Sequence, residues 1–311
     1  MHYLMYIVRV KYLSTFLLAV SAVFFTHGQG CSDAGFCTLN GFKPDAADST
    51  SSTYKNSIAS GISHGEADHG IAIWSYYIEY HRQLSTRAGL DVKIGGINQT
   101  DENISATGFS DLYINASYGF IKNTTVLGGI KIPLQNGNRQ SDEGLSLPMD
   151  YQSSLGTIDL ILGLKYEIKK FTFTTGFQQP VVQNNNGYLS ELYPADSPFR
   201  NFQSTNKYIR SGDVLLRLTY ALKITKRLTI SPSALSIYHL KADRFSDITG
   251  SRQVITGSQG LTFNGVMYFD YALSKKSSIN VTIGKPFITR KVRPDGLTRE
   301  YIITFEYKFK F

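Results

Sequence analysis

The sequence predicts an all-β fold, a transmembrane antiparallel β-barrel of about twelve strands with short periplasmic turns and long extracellular loops. Three observations predict it. The chain ends "TREYIITFEYKFKF", in which Tyr301, Ile303, Phe305, Tyr307, Phe309 and Phe311 alternate with Ile302, Thr304, Glu306, Lys308 and Lys310. From Tyr54 onward most of the chain consists of alternating stretches about 10 to 15 residues long, against about 5–6 for a soluble strand. Between them, tight and long connections take turns.

The C-terminal strand poses the problem most sharply. A terminal strand is an edge, and soluble proteins keep edges short or blunt them with charge. A closed barrel has no edge, because its last strand pairs with its first, and in a bilayer its apolar face meets lipid.

The N-terminal segment assigns a compartment. Met1 to Lys11 carries Arg9 and Lys11, followed by the apolar run "YLSTFLLAVSAVFF" and then "THGQG". This is the pattern of a secretory signal peptide over residues 1–29, and the run is shorter than the roughly 20 residues of a membrane-spanning helix. Its removal would lower the formal charge of +8 to about +6, since the segment carries two cations and no acid. The protein is therefore expected in the outer membrane of a Gram-negative bacterium.

Residues 30–53, "GCSDAGFCTLNGFKPDAADSTSST", are small, polar and aperiodic. Cys31 and Cys37 are the only cysteines, and in an exported segment they most simply close a small disulfide loop. They have no second pair to form a zinc site. Lipidation of Cys31 is an alternative, although Gly28, Gln29 and Gly30 lack the leucine such a signal carries three positions upstream. The segment is either a periplasmic tail or a plug folded into the lumen; sequence alone leaves both open.

Residues 54–311 form the barrel. In "GFSDLYINASYGFI", Leu112, Ile114, Ala116, Tyr118 and Phe120 oppose Asp111, Tyr113, Asn115, Ser117 and Gly119. In "LGTIDLILGLKYEI", Ile158, Leu160, Leu162, Leu164, Tyr166 and Ile168 oppose Thr157, Asp159, Ile161, Gly163, Lys165 and Glu167. In "SGDVLLRLTYALKIT", Val214, Leu216, Leu218, Tyr220 and Leu222 oppose Asp213, Leu215, Arg217, Thr219 and Lys223. A helical period fits none of these. The tight connections are 84–87, 122–123, 169–170, 224–227 and 274–277; the long ones are 96–107, 134–153, 183–207 and 241–257, with shorter ones at 64–70 and 290–296. Both termini then lie on the periplasmic side. A soluble sandwich has no reason to sort its loops in this way.

Period-2 geometry assigns the charges to the lumen, the only wet surface of such a wall, because a cation facing lipid at midplane costs about 2–4 kcal/mol. Candidate lumen-lining residues are Asp91, Lys93, Asp111, Lys131, Asp159, Lys165, Asp213, Arg217, Asp270 and Glu306. Two readings stand. The charges select solutes by sign in a hydrated pore, or they pair off and close a narrow barrel from within. Eight-stranded barrels are filled by side chains and 16–18-stranded ones are open, so a barrel of twelve falls between. Complete pairing favours closure; an unpaired Asp ring or a basic stripe favours conduction. Loops 134–153 and 183–207 are the candidates to gate the outer mouth, the second offering Tyr188, Leu189, Tyr193 and Phe199 as an apolar contact set. Packing of one loop against another accounts for those aromatics equally well.

Other chemistries are disfavoured. No Lys/Arg run with interleaved aromatics marks a nucleic-acid surface. His64, Glu66, Asp68 and His69 in "SHGEADHG" are divalent-cation ligand types, but without fixed spacing they read as a solvated loop, so no metal or other cofactor is expected. No His begins the His-x-Ser pair of an outer-membrane phospholipase, and His81 lies near a periplasmic turn; the protein is not expected to be an enzyme.

"GFSDLY" (108–113), "GTIDLI" (156–161) and "SGDVLL" (211–216) each put an Asp just inside the start of a strand. Gly-x-x-Asp-Leu at strand starts resembles the meta-pathway phenol-degradation (transporter-like) family of Gram-negative outer-membrane barrels, with looser similarity to fatty-acid and aromatic-hydrocarbon channels. "LSLPMDYQSSLGTIDL" and "VRPDGLTREY" resemble stretches of such barrels as well. The resemblance covers most of 54–311 and implies passive passage of small solutes, apolar or aromatic ones among them. The alternative function is a closed structural or partner-binding barrel. The aromatic end at Tyr307, Phe309 and Phe311 resembles the signal read by the outer-membrane assembly machinery, which makes that machinery and outer-membrane lipid the expected partners beside a small solute. The sequence fixes no oligomeric state.

Overall fold

The computed structural model describes residues 39–44, 54–296 and 300–311. The signal segment, Cys31 and Cys37 lie outside the described residues.

Twelve staves close a barrel. They are β1 (Asn56–Glu66), β2 (Ala72–Gln83), β3 (Ala88–Thr100), β4 (Ser105–Ile121), β5 (Thr124–Pro133), β6 (Ile158–Ile168), β7 (Phe171–Val182), β8 (Asp213–Tyr220), β10 (Leu228–His239), β13 (Gly260–Ala272), β14 (Ser277–Ile288) and β15 (Tyr301–Lys310). The short β9 (Leu222–Lys223) continues the stave of β8 past Ala221 and pairs with β10. Two three-residue strands, β11 (Arg244–Ser246) and β12 (Arg252–Val254), form a separate hairpin in the loop after β10. Each stave pairs antiparallel with its neighbour along the chain, and closure runs from Ser57 opposite Lys310 to Glu66 opposite Tyr301. The C-terminal strand thus has a partner on both sides, β14 and β1, and its backbone groups find the hydrogen bonds that lipid does not supply.

The alternation read from sequence is the inside–outside alternation of the wall. On β4, Asp111, Tyr113 and Asn115 are buried while Tyr118 and Phe120 are exposed; on β6, Asp159, Ile161 and Lys165 are buried while Leu160, Leu162, Leu164 and Tyr166 are exposed. On β15 only Glu306 is buried, and Ile303, Phe305, Tyr307 and Phe309 face out. Aromatics flank this outer surface at both ends. Trp74, Phe109, Tyr238 and Phe287 are exposed toward the long loops, and Tyr118, Phe120, Phe171, Tyr271 and Phe309 toward the tight turns. An apolar belt between aromatic girdles is the lipid-facing surface of an outer-membrane barrel.

The loops follow the expected rhythm, with β1 running on through Glu66 into the connection expected at 64–70 and a larger correction after β3. The connection assigned to 96–107 is only four residues long, because β3 and β4 stay paired from Ile97 opposite Gly108 to Thr100 opposite Ser105. The polar residues that read as loop are cross-strand partners instead: Asn98 Nδ2 donates to Ser105 Oγ at 3.2 Å and to Thr107 Oγ1 at 2.6 Å. Asp101 closes the turn by accepting from the backbone N–H of Asn103 and Ile104. Burial by itself would raise its carboxyl pKa, but a bond from the Asn103 side chain, one from Tyr151 and these two backbone bonds hold it below the usual carboxylate value.

Candidate functional site in the barrel lumen

Residues 39–44, "LNGFKP", lie inside the barrel as a short 3₁₀ turn over Asn40–Phe42. Of the two positions left open for the N-terminal segment, these six residues occupy the lumen. Sequence explains why they stay there. Leu39 and Phe42 are almost fully buried in a cluster with Tyr113, Leu127, Ile161, Leu215, Leu235, Ile237, Val266 and Tyr268. Ile161 and Leu215 interrupt otherwise polar inner faces, and in the fold they are the wall against which Leu39 and Phe42 pack. Gly163 makes room for the ring, since a Cβ there would sit 2.5 Å from Phe42.

The opposite wall, β1–β3 and β15, holds the polar side of the segment. The Asn40 backbone N–H donates to Glu79 Oε1 at 3.1 Å, and Asn40 Nδ2 donates to Asp91 Oδ1 at 3.3 Å. Lys308 Nζ donates to Asn40 Oδ1 at 3.0 Å. Lys43 Nζ forms an ion pair with Glu306 Oε2 at 2.9 Å. Tyr77 donates to the same carboxylate, leaning across Gly61, where a Cβ would meet its ring at 2.3 Å. Arg217 reaches from β8 to donate to the Phe42 carbonyl.

Two cavities flank the segment. A vestibule of about 940 Å³ opens toward the tight turns, and Asn40, Gly41 and Lys43 line it. A chamber of about 210 Å³ lies on the other side, again reached by Lys43, with Tyr77, Tyr113 and Tyr268 on its walls and Gln152–Leu155, Asp295 and Gly296 above.

The candidate lumen residues can now be placed. Lys131 and Asp159 pair at 2.9 Å, both essentially without exposure, and Gln178 donates to the same Asp. Lys131 also donates to Thr157 Oγ1 at 2.8 Å. Asp111 accepts from Ser154 of the long loop at 2.6 Å. Asp91 pairs with His81 at 2.8 Å, Asp270 accepts from Asn280 at 2.8 Å, and Lys165 lies 3.9 Å from Glu167. Lys93 Nζ sits 3.9 Å from the Tyr77 ring centroid, a cation–π contact. Asp111, Asp159 and Asp213 do not form an open ring; each has its own partner.

Asp213 belongs to a buried network at the outer mouth that sequence reasoning missed. Arg210 pairs with Asp213 at 2.6 Å and with Asp295 at 3.4 Å; Arg290 pairs with Asp295 at 3.0 Å. His239 lies between Asp213 at 2.7 Å and Asp243 at 2.8 Å. Tyr208 donates to Asp243 at 2.8 Å. Tyr208, Arg210, Asp243, Arg290 and Asp295 come from loops that sequence presents as polar and aperiodic, and Asp213 and His239 from strand ends, so only the fold reveals the convergence. Burial alone would raise the Asp295 carboxyl, but Arg290 and Arg210 outweigh it and hold the group well below the usual carboxylate range.

The gate candidates sit in a second outer cluster. Tyr188 and Tyr193 are buried and Phe199 is half-buried, packed with Tyr151 and Leu147 of the 134–157 loop and with Ile73 and Ile97 of the wall; Leu189 is buried as well but lies outside this cluster. Tyr188 donates to the Phe199 carbonyl, and Tyr193 donates to the Ser146 carbonyl at 3.0 Å. Loop therefore packs on loop across the mouth. His64 and Glu66 belong to β1 rather than to a loop; His64 stacks on Trp74 at 4.3 Å, and Asp68 is clamped by Arg293 at 2.6 and 3.0 Å. Among the described residues no group of three His, Cys, Asp or Glu side chains converges to hold a metal.

Comparison with known proteins rests on shape. No family model matches the chain, and no curated protein matches it in sequence. An outer membrane channel from Pseudomonas putida F1 superposes with a TM-score of 0.57 at 12% identity, over 86% of this chain and 100% of that one. The chain folds as an outer-membrane β-barrel. The KdgM porin (TM-score 0.43, 8% identity, 82% of this chain and 99% of that one) and a Pseudomonas aeruginosa FadL homologue (0.40, 10%, 83% and 90%) are similar only at a level that carries no further argument.

Proposed function

We propose that this barrel passes small solutes through the outer membrane by passive diffusion, with residues 39–44 and the outer loops as its movable closures. One observation carries the reading. Lys43 of the inner segment borders both the vestibule and the chamber, together with Tyr268 of the wall, so the segment sits where the two cavities approach each other. Displacing a six-residue segment joins two cavities without breaking a strand pair. That the Pseudomonas protein of similar fold is an outer membrane channel supports the same reading. The tyrosines of the chamber suit apolar or aromatic solutes, the class that the sequence resemblance implies. The lumen candidates, from Asp91 to Glu306, would then line the path, and Tyr188, Leu189, Tyr193 and Phe199 would hold its outer lid. Export by a cleavable signal over 1–29, a Cys31–Cys37 disulfide and recognition of Tyr307, Phe309 and Phe311 during assembly belong to the same proposal.

The second reading, a closed structural or partner-binding barrel, draws on the Lys131–Asp159 pair between adjacent strands and the Lys43–Glu306 pair between segment and wall, which neutralise charge within the lumen. Single-channel recording in a planar bilayer separates the two. The signal-free protein, a variant lacking 183–207 and a variant lacking 30–44 should give discrete steps that grow with each deletion. Folded protein that stays silent in all three forms overturns passage and leaves the structural barrel.

A further inference from the structure

The two ends of the lumen differ in charge. At the outer end, Asp213, Asp295 and Asp159 are each matched by Arg or Lys within 3.0 Å. At the inner end the balance is one-sided. Arg87, Lys122, Lys226, Arg227, Lys275 and Lys310 all border the vestibule. They come from four tight turns and from the last strand, so they surround the opening rather than mark one side of it. Among the described residues the vestibule's acids are Asp91, Asp270 and Glu306, each already engaged, by His81, Asn280 and Lys43 respectively. None of the six rim cations stands in an ion pair among the described residues.

We infer that the periplasmic vestibule is an anion-collecting site, so that the solutes this barrel favours are small organic anions, carboxylates above all. The inference rests on the passage reading for its transport consequence but not for binding. A concave wall of one sign focuses the field and concentrates counter-ions, and rings of Lys and Arg select anions in pores. A vestibule of about 940 Å³ suits a small organic solute. A flat anionic lipid surface would instead draw on turn cations outside the vestibule lining, Lys169, Lys170 and Lys276 among them.

Those two sets define the test. One variant carries Lys226→Glu, Lys275→Glu and Lys310→Glu; the control carries Lys169→Glu, Lys170→Glu and Lys276→Glu, with the same change in net charge. Folding of both is checked by heat-modifiable gel mobility. Binding of a pyrenetrisulfonate dye to the detergent-solubilised full barrel is read by fluorescence anisotropy, and the reversal potential in a KCl gradient is read in bilayers. The expected results are salt-sensitive dye binding, about tenfold weaker in the vestibule variant and unchanged in the control, and chloride preference lost in the vestibule variant alone. Dye binding with a silent bilayer sustains the anion site and sinks passage. Conduction without anion preference or dye binding overturns the anion site and leaves passage standing. Equal effects in both variants also overturn it, as would loss of binding to anionic lipid vesicles in the control with no change in the vestibule variant.

Discussion

Lys43 and Glu306 are 263 residues apart in sequence and meet at 2.9 Å, tying the inner segment to the strand that closes the barrel. Glu306→Gln removes the charge and keeps the shape. A hydrogen bond to a charged group is worth about 1.5–3 kcal/mol, discounted here because Lys43 keeps some exposure. More frequent opening events are expected in single-channel records, and Lys43→Met in the same background should add little, because the coupling is already gone.

Gly163 offers a test of the seat itself. A Cβ at this position falls 2.5 Å from the Phe42 ring, so Gly163→Val should expel Phe42 while leaving the strand pairs of β6 intact. Conductance is expected to rise. In a Phe42→Ala background the same substitution should change nothing further. An unchanged conductance in the single variant would mean that Phe42 does not obstruct the path.

The outer lid depends on Tyr188, which has no exposed surface and donates to Phe199. Tyr188→Ala is expected to cost about 3–5 kcal/mol locally, as truncation of a buried aromatic does. Limited proteolysis of intact cells should then cut within 183–207, while the barrel keeps its heat-modifiable mobility. Simultaneous loss of barrel and loop would mean that the lid is not an independent unit.

The mouth network predicts an acid response with a definite sign. Asp295 is held below the usual carboxylate value by Arg290 and Arg210 against the opposing effect of burial. A depressed carboxyl stabilises fully above its unfolded pKa of about 3.9 and loses that contribution as pH falls toward its folded value. Loop protection should therefore be flat at neutral pH and fall only below about pH 4. Asp295→Asn should weaken protection at neutral pH and abolish the acid step. A step near pH 6 would point to another group.

The sequence by itself determined the wall. The period-2 alternation on β4, β6, β8 and β15 decides which face meets lipid, and the short–long rhythm decides which end faces out, because both are local properties of consecutive residues. It erred where polar residues continue a strand beyond the membrane, as Asn98 and Thr107 do, since composition alone does not distinguish a solvated strand from a loop. Only the tertiary structure decided what fills the lumen. The six residues from Leu39 to Pro44 carry no periodicity, and their partners Glu79, Asp91, Arg217 and Glu306 are scattered over the chain. Arg210, His239, Asp243 and Asp295 likewise come together from separate loops and strand ends. One trace was legible: Ile161 and Leu215 are apolar on inner faces, and an apolar side chain in a wet lumen calls for a cover. Closing the barrel brings that cover, Leu39 and Phe42, against them, because burial of apolar surface and pairing of charge are satisfied together only once all twelve strands are in register.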